Sequence, residues 1–302
     1  MTSAQTIAEL QSFEGVATAT PAQPRLLELR AEAFAGHFDR QPFVIGHHLA
    51  NHPLFSLEQL VALSRRLPAE QVRYNTGRVE VGTGVYRGPQ NGLSVEETIR
   101  QIEACESWMV LKFVEHDPAY RELLDRCLDE VQCLSEPVRP GMSRREAFIF
   151  ISSPGAVTPY HLDPEHNFLL QIRGRKRVHI WNRDDRQVLS EEELEGFLAS
   201  RQTQIEFREE YQARAATFEL TPGTGLHFPV AAPHWVQNGD EVSVSFSITF
   251  RSRSSERRVI VSQANAQLRE LGLKPAPFGR SALRDAAKYH AFRAWRRMRR
   301  LA

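Results

Sequence analysis

Cysteine is scarce: the 302 residues include three, Cys105, Cys127 and Cys133, an odd number with no CxxC pair. That speaks against a secreted disulfide framework and a cysteine-ligated zinc site, and fits a reducing compartment. A charge excess is also lacking. The 38 basic and 37 acidic residues leave +1, so no whole-molecule field favours a polyanion and any such role must be local. Apolar runs such as Phe168-Leu169-Leu170 are only a few residues long, far short of a membrane span. The first 21 residues carry acidic side chains and no apolar centre, unlike a secretory signal, so a cytoplasmic setting is expected. What is present is 41% hydrophobic and 25% charged residues, enough to bury one or two cores and too apolar for a disordered chain.

The first half carries helical signals. Residues 24–38 place Leu26, Leu27, Leu29, Ala33 and Phe34 near a 3.6 period, and Ser56 with Gln59 forms a capping signature before Leu60, Leu63 and Leu67. Ser94 opens a further helix over 95–105. Asp117-Pro118 caps another that carries Tyr120, Leu123, Leu124, Cys127, Leu128 and Val131. Residues 73–91 read as loop and short strand. At 137–141, Pro-Val-Arg-Pro-Gly, the period changes, which sets the expected layout: a helical region over 1–140, a barrel over 141–252 with a helical insertion at 186–215, and a helical region over 253–302. Within the insertion, an acidic helix bearing Leu194, Phe197 and Leu198 reads as a surface helix on the barrel rim, or alternatively as a lid.

In the barrel segment, 148–151 is a short apolar strand. Residues 168–172 and 177–181 flank Arg173-Gly174-Arg175 as a hairpin. Val242, Val244, Phe246, Ile248 and Phe250 alternate with Ser243, Ser245, Ser247 and Thr249, which predicts a half-buried strand. Many short strands joined by glycine and proline turns favour a mainly β jelly roll with added helices.

Chemistry concentrates at Gly155-Ala-Val-Thr158-Pro-Tyr-His161-Leu-Asp163. On an extended strand residues two apart share a face, so His161 and Asp163 can serve one metal ion, with His234 as a third ligand from across the barrel mouth. Two imidazoles and one carboxylate leave three positions open, as iron(II) requires to hold a bidentate cosubstrate and dioxygen. A cosubstrate such as 2-oxoglutarate needs a cation for its far carboxylate. Lys176 is placed for this and Thr158 can add a hydroxyl; a solvated position among Arg173, Arg175 and Arg177 is the competing reading for the lysine. His-x-Asp occurs twice. His37-Phe38-Asp39 falls in or after a helix, where residues two apart diverge, and is set aside as a decoy. His166 and His227 are read as surface or supporting residues rather than ligands.

The run from Val157 to Asp163, then Asn167-Phe168, then 171–176 (Gln-Ile-Arg-Gly-Arg-Lys), then Pro229 and His234, resembles the JmjC/cupin-like iron(II)- and 2-oxoglutarate-dependent oxygenases. Within that family it is similar to the asparaginyl hydroxylase that acts on hypoxia-inducible factor. Residues 41–45, Gln-Pro-Phe-Val-Ile, are similar to the strand that opens the family's fold. The resemblance covers roughly residues 140–252. It implies a double-stranded β-helix flanked by N-terminal and C-terminal helices, with iron held by His161, Asp163 and His234. It further implies 2-oxoglutarate held by Thr158 and Lys176, and a cosubstrate pocket lined by Asn167, Ser247 and an upstream tyrosine, Tyr74 or Tyr86.

The implied activity is hydroxylation of an unactivated C–H bond with release of succinate and CO2, first on a protein or peptide side chain, second on a small metabolite. N-methyl-lysine demethylation ranks third. The rivals are a metal cupin that does not use 2-oxoglutarate and a regulator without turnover. The C-terminal segment, with Tyr289, Phe292 and Trp295 on one spacing and arginines at its end, reads as a packing or homodimer helix; contact with RNA or anionic lipid is the less favoured alternative.

Overall fold

The computed structural model describes residues 24–84, 88–200 and 205–299. The chain enters through β1 (Leu27–Glu28), α1 (Ala31–His37) and β2 (Phe43–His47), then α2 (Leu57–Arg66), β3 (Val72–Thr76) and α3 (Val95–Arg100). The caps form as expected: Ser56 accepts from the Gln59 N–H, and Ser94 with Glu97 closes a capping box. β4 (Ser107–Lys112) and α4 (Pro118–Ser135) follow, the latter capped by Asp117 with proline at its start.

Next come β5 (Ser143–Ser152), β6 (Val157–His161), β7 (His166–Arg173), β8 (Lys176–Ile180), α5 (Glu191–Leu198), β9 (Ala216–Leu220), β10 (Thr224–Phe228), β11 (His234–Asn238) and β12 (Ser243–Arg251). Two helices end the description, α6 (Arg253–Glu270) and α7 (Ala282–Arg299).

The strands form an antiparallel eight-stranded sheet, β1-β2-β10-β7-β12-β5-β4-β3, facing a four-stranded one, β6-β11-β8-β9. Gly174 (φ +69°) makes the β7–β8 turn, and a Cβ there would strike the Val242 carbonyl. The outer face of the large sheet, with Ile149, Ile151, Phe168, Leu170, Phe246 and Ile248, packs beneath α1, α2 and α4 in the main core. Its inner face and the small sheet enclose a second core of Leu169, Val178, Ile180, Leu226, Phe228 and Val236.

Several expectations change. Residues 24–140 supply four strands, including both edges of the large sheet, so the N-terminal part is woven into the barrel rather than laid on it. β4 gives no alternation because both of its faces are buried. The same cause alters the reading of β12, whose serines face the barrel interior instead of water, so that all but its last residue is buried. Among its described residues, the insertion at 186–215 is helical over Glu191–Leu198 and in a 3-10 stretch at Glu209–Arg214.

Candidate metal centre

Position along a strand does not by itself put Thr158 beside His161, since residues three apart on a regular strand face opposite ways. The pairing resolves this. His161 lies opposite His234 and Thr158 opposite Val236, so β6 spends three residues where β11 spends two. This bulge returns Thr158 to the face that carries His161. On the other side of β11, His234, Val236 and Asn238 lie opposite Ile180, Val178 and Lys176. Partners directly opposite share a face, so His161, Thr158, His234, Asn238 and Lys176 all belong to the inner wall of the small sheet.

At the open end of that wall three donors converge. His161 Nε2 lies 3.9 Å from Asp163 Oδ1, and His234 Nε2 lies 3.7 Å from Asp163 Oδ2. One ligand atom from each residue falls within 4.8 Å of the others. A metal about 2.1 Å from each donor spans pairs up to ~4.2 Å apart, so both histidine–carboxylate separations suit a single ion. The ring orientations are fixed from behind. His161 Nδ1–H donates to the Pro159 carbonyl at 2.7 Å and His234 Nδ1–H to that of Ala232 at 2.9 Å, which leaves both Nε2 lone pairs aimed at the shared point. Burial, followed by the neighbouring His161, pulls His234 down to about 4, so it is neutral and ready to coordinate. Asp163 is steadied from the large sheet: Asn167 Nδ2 donates to its Oδ2 at 3.4 Å, and Ser247 Oγ donates to Asn167 Oδ1 at 2.8 Å. Two imidazoles and a carboxyl group on one face fit a ferrous ion with open positions.

Deeper in the barrel, Lys176 is 6% exposed and has no hydrogen bond or ion pair to any described residue. Burial alone pulls its ammonium down to about 7. Opposite it on β11, Asn238 donates to the Ala156 carbonyl at 2.8 Å, while its Oδ1 is buried without a partner. A buried ammonium without a partner is the feature that an anion would satisfy. The solvated reading of Lys176 is therefore overturned; Arg173, Arg175 and Arg177 take the exposed places in that run. Thr158 Oγ1 accepts the Trp108 indole N–H at 2.8 Å, a partner hidden from sequence reading because β4 shows no alternation.

Above the metal point opens a cavity of about 590 Å³. Its walls include His161, Asp163, Asn167 and Ser247, with Phe148, Phe150, Phe197 and Leu198. Lys176 and Thr158 are not among them, so the Lys176 cradle lies behind the ligands, separate from this opening. Glu165 and Arg251 also line the cavity, joined by an ion pair at 2.7 Å. Burial and then Asp163 push the Glu165 carboxyl up to about 7 in spite of Arg251. Neither residue stood out in the sequence, since neither has ligand spacing.

Other candidates lie elsewhere. Tyr74 turns outward: its ring packs on the main core and its hydroxyl donates to the Leu93 carbonyl, so it does not line the pocket. Tyr86 falls outside the described residues. His166 and His227 are fully buried rather than on the surface, each packed against Phe38 with centroids 4.9 Å away and 6.3 Å from one another. His37 is exposed while Asp39 is buried against Arg183 and Arg139, so the first His-x-Asp is split between water and core.

Helix-backed large sheet, small sheet and a mouth that gathers two histidines and one carboxylate define a double-stranded β-helix with a candidate metal centre. The chain belongs to the cupin-like domain family, whose profile matches residues 38–256. It is similar to lysine-specific demethylase 8 of Xenopus tropicalis, 29% identical over 147 residues that make up 45% of this chain and 30% of that protein. It is also similar to HSPB1-associated protein 1 of Rattus norvegicus, 32% identical over 117 residues, 36% of this chain and 24% of that one. The chain thus spans less than a third of the length of these curated relatives. Among solved structures, Escherichia coli ycfD shares the fold with a TM-score of 0.54 at 19% identity, covering 89% of this chain and 67% of that one.

Proposed function

We propose that the protein is an iron(II)- and 2-oxoglutarate-dependent oxygenase that hydroxylates a C–H bond, with a protein or peptide side chain as the first choice of substrate. The observation that carries this reading is the shared inner wall. The pairing of β6, β11 and β8 aligns His161 and His234 with an unpaired buried ammonium at Lys176, and a metal beside an anionic organic ligand would satisfy both ends. Iron(II) with 2-oxoglutarate and dioxygen supplies the oxidation, in which the keto acid loses CO2 to become succinate and a C–H bond gains one oxygen atom.

The chain's own residues do the rest. His161, Asp163 and His234 hold the metal on one face, and Asn167 with Ser247 keeps Asp163 turned toward it. Lys176 takes the far carboxylate of 2-oxoglutarate, joined by the Thr158 hydroxyl, whose acceptor side is already satisfied by Trp108 and whose hydrogen is free to donate. Phe148, Phe150, Phe197 and Leu198 keep water from the cavity where the substrate side chain sits. The demethylase name of one relative supports a protein substrate over a metabolite. Assembly as a homodimer through Phe292 and Trp295 of α7, and a cytoplasmic setting, belong to the same reading; light scattering and cell fractionation test them.

The deciding experiment measures succinate formed from 2-oxoglutarate with iron(II), followed by mass spectrometry of lysate proteins that gain one oxygen. His161→Ala should abolish both signals. Full succinate production by that variant would overturn the assignment.

A further inference from the structure

The fold leaves one strongly basic groove beside the metal cavity, on a chain whose net charge is only +1. It encloses about 860 Å³ between α6 and α7. Its floor is Val259, Ile260 and Gln263 of α6, and its outer wall is Arg293, Arg296 and Arg297 of α7. None of these three arginines is paired with a carboxylate among the described residues; Arg293 donates to the Tyr289 hydroxyl and Arg296 to the Gln263 side chain. All three are exposed.

The near wall is Arg144 and Arg251, and its backbone is shaped for the purpose. Ser143 lies opposite Arg251 and Glu146 opposite Thr249, so β5 spends an extra residue here, and Arg144 adopts the left-handed conformation (φ +51°). Such a bulge at a barrel rim re-aims a side chain, here placing Arg144 on the groove wall. Arg251 stands in both walls. It lines the groove and the metal cavity alike, as do Val259 and Gln263, and its Nε is buried without a partner. Glu256, the one acidic residue in the groove lining, pairs with Arg144 at 3.5 Å, and Arg251 pairs with Glu165, so the charge left without a carboxylate is that of Arg293, Arg296 and Arg297. Groove and cavity adjoin at a shared wall of Arg251, Val259 and Gln263.

We propose that this groove is the docking site for an acidic segment of the substrate polypeptide, which lies along Arg293, Arg297, Arg144 and Arg251 while the reacting side chain a few residues away enters the cavity. The proposal rests on the oxygenase reading and adds the substrate class: a protein whose modified residue is flanked by aspartate or glutamate. The uncommitted arginines beside the cavity favour an acidic, flexible chain that reaches from one space to the other. Single-stranded nucleic acid is disfavoured because the aromatic faces it would stack on are already covered. Arg257 and Arg293 lie over the Tyr289 ring at 5.7 and 5.2 Å, and Arg299 lies over Trp295 at 4.6 Å.

The test is direct binding to the full chain, without turnover, read by fluorescence anisotropy. The probes are a labelled twelve-residue glutamate-rich peptide, a glycine-serine peptide of equal length and a twelve-nucleotide single-stranded RNA. The acidic peptide should bind, weaken as salt rises, and lose roughly tenfold in affinity with Arg293→Glu/Arg297→Glu, while His161→Ala leaves binding unchanged. If the double variant does not fold, Arg297→Gln, a change at an exposed residue, should show a smaller loss in the same direction. Equal binding of the two peptides, or tighter binding of the RNA, would overturn the proposal. No acidic-peptide binding by the unsubstituted protein, or binding that Arg293→Glu/Arg297→Glu does not weaken, alongside intact succinate production would sink the docking site alone. Intact binding with no succinate would sink the oxygenase reading alone.

Discussion

The indole N–H of Trp108 reaches Oγ1 of Thr158 at 2.8 Å, across the barrel from one sheet to the other. By filling the acceptor side of that hydroxyl it aims the remaining hydrogen at the space in front of Lys176. Trp108→Phe keeps the ring and deletes this bond, worth about 1 kcal/mol. The expected outcome is a KM for 2-oxoglutarate raised roughly fivefold with kcat unchanged, measured by succinate release; an altered kcat at constant KM would contradict the role.

Lys176 gives a stability signature with a definite sign. Its ammonium is held at about 7 against an ordinary 10.5, so between those values the unfolded chain binds more protons than the folded one, and stability rises with pH across that window. An anion in the cradle restores the higher value and flattens the slope. Lys176→Met should stabilise the ligand-free protein by roughly 1–3 kcal/mol at pH 7, with the gap narrowing toward pH 10. It should also abolish the rise in Tm that 2-oxoglutarate gives the parent protein. A variant that is less stable, or that still responds to 2-oxoglutarate, would rule the cradle out.

Asn167 ties a carboxylate that protrudes from the small-sheet side to the wall of the large sheet. Asn167→Ala should lower iron(II) affinity by about 10–100-fold, with little change in Tm of the metal-free protein. Isothermal titration with manganese(II) as an air-stable substitute checks it, and Ser247→Ala should show a weaker effect of the same sign.

Asp39 supports the fold away from the site. Burial pushes its carboxyl up, but Arg183, His166 and Arg139 outweigh this and hold it well below the usual carboxylate range. Its stabilisation is therefore present above the unfolded value and lost as pH falls below about 4. Asp39→Asn should cost about 3–5 kcal/mol in urea unfolding at pH 7, because Arg183 is left buried without its counter-charge. The difference from the parent should shrink in acid.

The parts of this fold that could be read from the chain were those with one wet face and one dry face. α2 and α4 announced themselves through caps and a 3.6 period. Where both faces are buried the pattern carries less: β4 has no alternation, and the serines of β12 look like a solvent face although they line a barrel. The metal residues were legible because they belong to a short run plus one distal histidine. Trp108 and Asn238 were not, since each reaches the site through pairing distant in sequence, and Glu165 was not, since it carries no ligand spacing. The bulge in β6 was hidden as well, because spacing alone would have turned Thr158 away from His161.

That bulge lies in the thinner leaf of the sandwich. His161 and His234 hang from four strands, whereas Asp163 is fastened by Asn167 to the leaf of eight. An ion seated among them would rivet the two leaves at the rim, so stripping it should let the mouth splay while the helix-backed leaf stays shut. Chelation would then be felt first as a loosening at one lip of the barrel, and protease should find its first cut there.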